Sequence, residues 1–230
     1  MKRLAFIGIG GAINLELGGT SCFIKENGNL LVIDACEGAT EKLLGARAFD
    51  GINNVYIAIT HTHFDHIAGL GVLIWYCRIR LNITPHIIFE NETHRQTLGE
   101  LLRLTGIRND QCNFIPEDSL GFSFSVEMTP TSHSSDLQCY GIMFEDESGK
   151  YYYSGDTSDI EQIRNLCDNP AVRAIYCEVS PNLDEHISYD DIQELDKSKL
   201  ILMHFTNMDI YNRAIADGFT VAAVAEGAKI

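Results

Sequence analysis

The chain has 230 residues, 45% of them hydrophobic and 21% charged, which is enough for one substantial core, and a single domain over residues 1–230 is expected. Lys and Arg total 17 against 32 Asp and Glu, and the formal charge of −15 disfavours any surface built to grip a long polyphosphate backbone. The seven cysteines form no C-x-x-C pair and leave one over, so they read as free core thiols of a reducing compartment rather than as a disulfide framework.

At the start, Lys2 and Arg3 followed by the apolar stretch 4–13 have the outline of a secretory leader. Asn14 and Glu16 follow at once and no small-residue cleavage pattern closes the stretch, so a strand ending in a glycine turn accounts for it better. No uncharged apolar run approaches the ~18 residues of a membrane span, and a cytoplasmic chain is expected.

Short β-branched or aromatic runs at 4–7, 22–24, 30–33, 55–60, 86–89, 122–128, 140–144, 151–153, 174–179 and 200–205 predict strands. The run 122–128 alternates Phe122, Phe124, Val126 and Met128 with Ser123, Ser125 and Glu127, the period of a sheet with one buried face. Helical patterns are expected at 39–47, 67–80, 93–105, 160–167, 189–195 and 210–216, and in the third Leu98, Leu101, Leu102 and Thr105 mark one face. Strands interleaved with helices in this order predict an α/β fold in which mixed sheets are sandwiched between helices.

Directly after the apolar run 55–60 comes His61-Thr62-His63-Phe64-Asp65-His66, which puts three imidazoles and a carboxylate within six residues. Residues at i and i+2 of an extended chain point to the same side, so His61 and His63 can face one metal ion. Asp65 and His66, at the start of the next helix, can face a second. The competing reading makes Asp65 the N-cap of that helix and packs the histidines without metal. It leaves several buried ring nitrogens to satisfy, which favours the metal.

Six residues cannot complete two coordination spheres. His133, Asp156 and His204 each follow an apolar strand, where a loop can present them over the sheet edge, although each alone could equally be a capping or core residue.

With these residues in place the chain resembles the metallo-β-lactamase superfamily of binuclear hydrolases over nearly its whole length. That resemblance implies an αββα sandwich, with His61, His63 and His133 on a first metal, Asp65, His66 and His204 on a second, and Asp156 bridging. It also matches Asp34 to an aspartate that supports the metal loop. Within the superfamily the opening Gly8-Ile9-Gly10-Gly11-Ala12, the Ser154-Gly155-Asp156-Thr157 sequence, and Glu178 and His186 ahead of Met203-His204-Phe205 are similar to the tRNase Z-like phosphodiesterase branch. There, a histidine at the place of His186 protonates the leaving oxygen and a glutamate at the place of Glu178 orients it. The plainer alternative makes Glu178 a surface carboxylate at a strand end and His186 a loop residue.

The chain departs from tRNase Z in having only a short hairpin between His133 and Asp156, where the family carries a tRNA-holding arm. It is similar in size and motifs to compact cyclic-nucleotide phosphodiesterases of that branch, among them phage anti-Pycsar proteins, which are commonly homodimers. The resemblance therefore implies a binuclear phosphodiesterase with Asp65, Glu178 and His186 as its catalytic groups. Its cofactors would be two divalent ions, zinc by preference, with manganese or iron as options. Its partner would be a small phosphodiester such as a 3′,5′-cyclic nucleotide. The alternatives are a tRNase Z-type endoribonuclease, a thioester or lactam hydrolase of the same fold, and a non-catalytic metal-stabilised binding protein. Trp75 and Tyr76 could stack on a base or simply pack, and His86 and His94 belong to no ligand pattern.

Overall fold

The computed structural model describes residues 4–181 and 184–228, in which the β-branched runs pair into two six-stranded sheets. Lys2 and Arg3 lie outside the described residues; the apolar residues after them form β1. The first sheet has the order β1 (Ala5–Gly8), β2 (Ser21–Glu26), β3 (Asn29–Ile33), β4 (Asn54–Ala58), β5 (His86–Phe89), β6 (Asn113–Pro116). Its first three strands are antiparallel and those from β3 onward run parallel. The second comprises β7 (Ser125–Pro130), β8 (Tyr140–Asp146), β9 (Gly149–Tyr153), β10 (Val172–Glu178), β11 (Leu200–Met203) and β12 (Thr220–Val221), with the same change of direction at β9.

Alternation along the strands sorts the side chains into two cores. Leu30 and Val32 join Leu43 of α1 (Ala39–Gly45), Leu73 of α3 (Leu70–Tyr76) and Leu98 of α4 (Glu92–Leu104). Their neighbours Leu31 and Ile33 join Val126, Ile142 and Phe144 of the opposite sheet. Ile163 of α5 (Ile160–Asp168) and Ile210 of α6 (Met208–Ala216) belong to this second core. Each fully buried aliphatic side chain is worth about 1.5–3 kcal/mol of transfer free energy, so the alternation fixes which face of each strand points inward. The layers run helix, sheet, sheet, helix, the expected αββα sandwich. All seven cysteines are buried and free.

Four expectations are corrected. The strand expected at 122–128 begins only at Ser125, because Phe122 and Phe124 stack on each other with ring centres 4.8 Å apart, and the Ser123 N–H and hydroxyl bond the Glu26 carboxylate instead of a ladder partner. The helix expected at 67–80 starts earlier, as α2 (Phe64–Ile67), breaks at Gly69, resumes as α3 and ends in a π-helical turn, Cys77–Leu81. At Gly69 the backbone lies so close to the Cys36 carbonyl that a Cβ would collide with it. The segment 189–195 forms turns rather than a helix, and its Tyr189 is anchored through its backbone N–H to Ser180 and through its hydroxyl to Asp217. The short strands β6 and β12 were not anticipated; each is an outermost strand of its sheet with little alternation to read.

In both sheets the parallel strands end on one edge. Asp34 follows β3, His61 lies just beyond β4, Asp156 beyond β9, Glu178 ends β10 and His204 follows β11. Loops at the carboxyl ends of parallel strands are where α/β sheets place their ligands.

Candidate metal centre

At the end of β4 the Asp34 carboxylate accepts the Thr60 N–H at 2.8 Å and the Thr60 hydroxyl at 2.9 Å. With its proton so engaged, the Thr60 oxygen is left to accept from Nδ1 of His61, 3.1 Å away, which frees Nε2 of that ring to face the cluster. Asp34 also lies 2.8 Å from Nδ1 of His66, so the His66 Nε2 lone pair is likewise turned inward. Thr60 was not singled out in the sequence, although its place immediately before the motif was the available signal. Asp34 and His204 both hold positive φ, 58° and 53°, a conformation that costs non-glycine residues energy and turns each strand end abruptly.

Two donor groups result. In the first, Nδ1 of His63 lies 3.0 Å from Nε2 of His61 and 3.1 Å from Nε2 of His133. The other nitrogen of His133 donates to the Glu185 carbonyl at 2.6 Å. In the second, the Asp65 Oδ2 lies 3.4 Å from Nε2 of His66 and 3.3 Å from Nε2 of His204, and Asp156 Oδ1 is 3.4 Å from both rings. The other oxygen of Asp156 faces the first group, 3.9 Å from the ring nitrogens of both His61 and His133. Asp65 does not cap α2; that place belongs to His63, and Asp65 lies in the first turn.

The donors fit metal ions. His66 Nε2 is buried without a hydrogen-bond partner, an arrangement that costs free energy unless a positive centre stands before it. The separations of 3.0–3.4 Å between donor atoms resemble the edges of a tetrahedron, which are ~3.3 Å for bonds of about 2.0 Å. Burial pushes the His61 imidazole down to about 2, which keeps it neutral as a ligand must be. Burial also raises Asp156, but the His204 and His66 rings outweigh it and hold the carboxyl well below its usual range. At His204 burial lowers the imidazolium, and Asp156, Asp65 and Glu178 together outweigh that and lift it to about 10.

Beside the two groups stands a second pair. Glu178 is wholly buried, accepts the Thr157 N–H at 2.7 Å, and places Oε1 and Oε2 3.0 and 2.9 Å from Nδ1 of His186. It is therefore no surface carboxylate. Burial lowers the His186 imidazolium, but the hydrogen bond and charge of Glu178 together with the charge of Asp156 outweigh it and the net direction is upward. The nine residues expected from the sequence thus converge at one end of the sandwich, where strand ends of both sheets meet. Outside them, His94 stacks on Tyr140 at 4.6 Å and His86 on Tyr56 at 5.3 Å, while Tyr76 packs on Phe49 at 5.1 Å. No helix of the described residues is long and apolar enough to cross a membrane.

Comparison with known proteins agrees with this geometry. A protein described as anti-Pycsar protein Apyc1 from Bacillus phage 010DV004 is 29% identical, over 92% of this chain and 93% of that one. A protein of the same description from Paenibacillus harenae is 26% identical, over 88% and 89%. The crystal structure of the metallo-β-lactamase fold protein YhfI from Bacillus subtilis superposes with a TM-score of 0.73 at 18% identity, covering 97% of each chain. The family model described as anti-Pycsar protein Apyc1 matches residues 2–223, and the chain belongs to that family.

Proposed function

We propose that this metal-dependent hydrolase opens the phosphodiester ring of a 3′,5′-cyclic nucleotide, using two divalent ions, zinc by preference. The reading is carried by one observation: two donor groups share the Asp156 carboxylate, and the Glu178–His186 pair stands beside them. In support, Nδ1 of His186 lies 4.0 Å from Asp156 Oδ2, so a phosphate over the cluster would also be within reach of this ring.

Bound there, divalent ions supply Lewis acidity, neutralising charge on the phosphate oxygens and bringing the ionisation of water toward neutral pH. The protein residues do the rest. Asp34 and Thr60 fix the orientation of His66 and His61. Glu178 accepts a hydrogen bond from Nδ1–H of His186, which leaves Nε2 to face the substrate, and the raised basicity of the ring favours the protonated form that can donate to the departing ribose oxygen.

The size of the substrate is argued from what surrounds the site. Between His133 and Asp156 the chain folds only into the β8–β9 hairpin, whose strands pair from Ile142–Tyr153 to Asp146–Gly149, and the charge of −15 offers no broad attraction to RNA. The family's descriptions as anti-Pycsar proteins agree with a small cyclic nucleotide.

The test is hydrolysis of purine and pyrimidine 3′,5′-cyclic nucleotides by the zinc- or manganese-loaded protein, beside an artificial diester and a precursor tRNA, with Asp156→Ala as control. Cleavage of cyclic nucleotides that is lost in the variant supports the reading. Cleavage of the tRNA alone returns the chain to the endoribonucleases.

A further inference from the structure

Phe64 is the residue between His63 and Asp65, and so between the two donor groups. Its ring is 79% exposed. One exposed aromatic side chain is ordinary, but one that joins other exposed apolar residues around a cavity marks a surface suited to a ligand. The ring lines a cavity of about 480 Å³, whose other apolar walls include Ile13 and Leu15 of the β1–β2 connection, 83% and 85% exposed. Asp65 lines the same cavity and is also a member of the second donor group, so one residue belongs to both. Its volume falls among those of small-molecule sites, roughly 300–1,000 Å³.

We propose that this cavity is the nucleobase subsite and that the base stacks on Phe64. The inference rests on the cyclic-nucleotide reading above. Position 64 lies on the chain segment that joins the two donor groups, and Phe64 and Asp65 both line the cavity, so a nucleotide whose phosphate sits over the centre has this wall as the neighbouring surface for its base. Stacking suits such a site because every base has a π-face and Phe64 is the one aromatic side chain among the described residues of the lining, the other walls mixing Ala12, Ile13 and Leu15 with the polar Asn14, Glu37 and Lys42. Phe64 thereby binds the leaving side of the substrate without taking part in proton transfer.

The experiment compares the metal-loaded wild type with Phe64→Ala, Phe64→Leu and Phe64→Trp on two substrates, a purine 3′,5′-cyclic nucleotide and the base-free 3′,5′-cyclic ribose phosphate, with the molar mass of each variant measured by light scattering. In Phe64→Ala the loss of kcat/KM on the nucleotide is expected to exceed the loss on the base-free compound by about tenfold, chiefly through KM. Phe64→Trp should restore the discrimination and Phe64→Leu should not, since only the former offers an aromatic face. Equal losses on both substrates, or equal rescue by leucine, would overturn the stacking assignment while leaving the cyclic-nucleotide reading in place. A fall in molar mass in Phe64→Ala would make the patch a contact between two copies and likewise overturn it. If wild type cleaves neither compound, the functional reading itself fails and the inference with it.

Discussion

Nδ1 of His66 stands 2.8 Å from Oδ2 of Asp34, a residue 32 positions earlier, and that contact decides which nitrogen of the ring is offered to the metal centre. The same carboxylate receives the Thr60 N–H and hydroxyl, so one side chain at the end of β3 orients residues in both donor groups. Carboxylates placed behind ligating histidines raise their basicity and fix their rotation.

Asp34→Asn keeps the size of the side chain and tolerates the positive φ at this position, but it removes the charge that holds the His66 proton. Metal affinity is expected to fall about 10–100-fold with the fold intact. Titration with a competing chelator, alongside circular dichroism, measures both quantities. Unchanged affinity would assign Asp34 to the fold alone.

Glu178→Gln should lower turnover about 100-fold, because a neutral amide no longer favours the protonated His186. Metal per chain should stay near wild type, since neither oxygen of Glu178 belongs to the group formed by Asp65, His66, Asp156 and His204. Elemental analysis and steady-state kinetics on the same preparation separate the two effects. Loss of metal in proportion to activity would make the glutamate a structural support of the centre.

Stripping the metal should lower thermal stability as well as abolish hydrolysis. The buried carboxylates of Asp34 and Asp156 face rings whose nitrogens converge, and an ion bound only by the folded state stabilises it by about 2.7 kcal/mol when present at ~100 times its dissociation constant. Melting curves with and without chelator, then with metal restored, check this. Identical midpoints would argue against ions in this cluster.

His94 gives a pH dependence of stability. Burial beneath Tyr140 pushes its imidazolium down from 6.5 to about 4, so between these values the unfolded chain binds a proton that the folded chain refuses. The contribution is fully present above pH 6.5 and is lost as pH falls toward 4, on the order of 3 kcal/mol in all. Urea unfolding at pH 7 and pH 5 should show a smaller loss for His94→Gln than for wild type. Equal losses would mean that His94 becomes protonated without unfolding.

Gly69→Ala tests the break between α2 and α3. The Gly69 N–H donates to the Ala35 carbonyl at 2.8 Å, and an added Cβ would meet the Cys36 carbonyl, so either the helix pair or the β3–α1 loop must move. A loss on the order of 3 kcal/mol is expected in denaturant titrations. Because the shift would displace Asp65 and His66, weaker metal binding should accompany it.

The sequence by itself pointed to most of the layer order and to seven of the nine candidate side chains, while Glu178 and His186 were named through the family resemblance. Strand alternation such as Leu30 to Ile33 is a local consequence of a pleated backbone between two apolar faces, and it shows in the residues themselves. The H-x-H-x-D-H run is local too, and the remaining ligands were legible because each follows an apolar strand. Where the chain was misread, long-range contacts had overridden local preference. The Glu26 carboxylate took the Ser123 donors and delayed β7 to Ser125, and the closeness of Cys36 split a helix at Gly69.

Only the tertiary structure decided how the ligands are oriented and joined. Spacing leaves the tautomer of His66 and the placement of Asp156 between the donor groups undetermined, because the first depends on neighbouring strand ends of one sheet and the second on strand ends of different sheets meeting within 4 Å. It was also folding that buried Glu178 against His186 and left Phe64 standing exposed beside the centre. Residue type sets which chemistry is available. Directed interactions such as hydrogen bonds and ligand geometry fall off over fractions of an ångström, so their arrangement is settled only when the sheets pack.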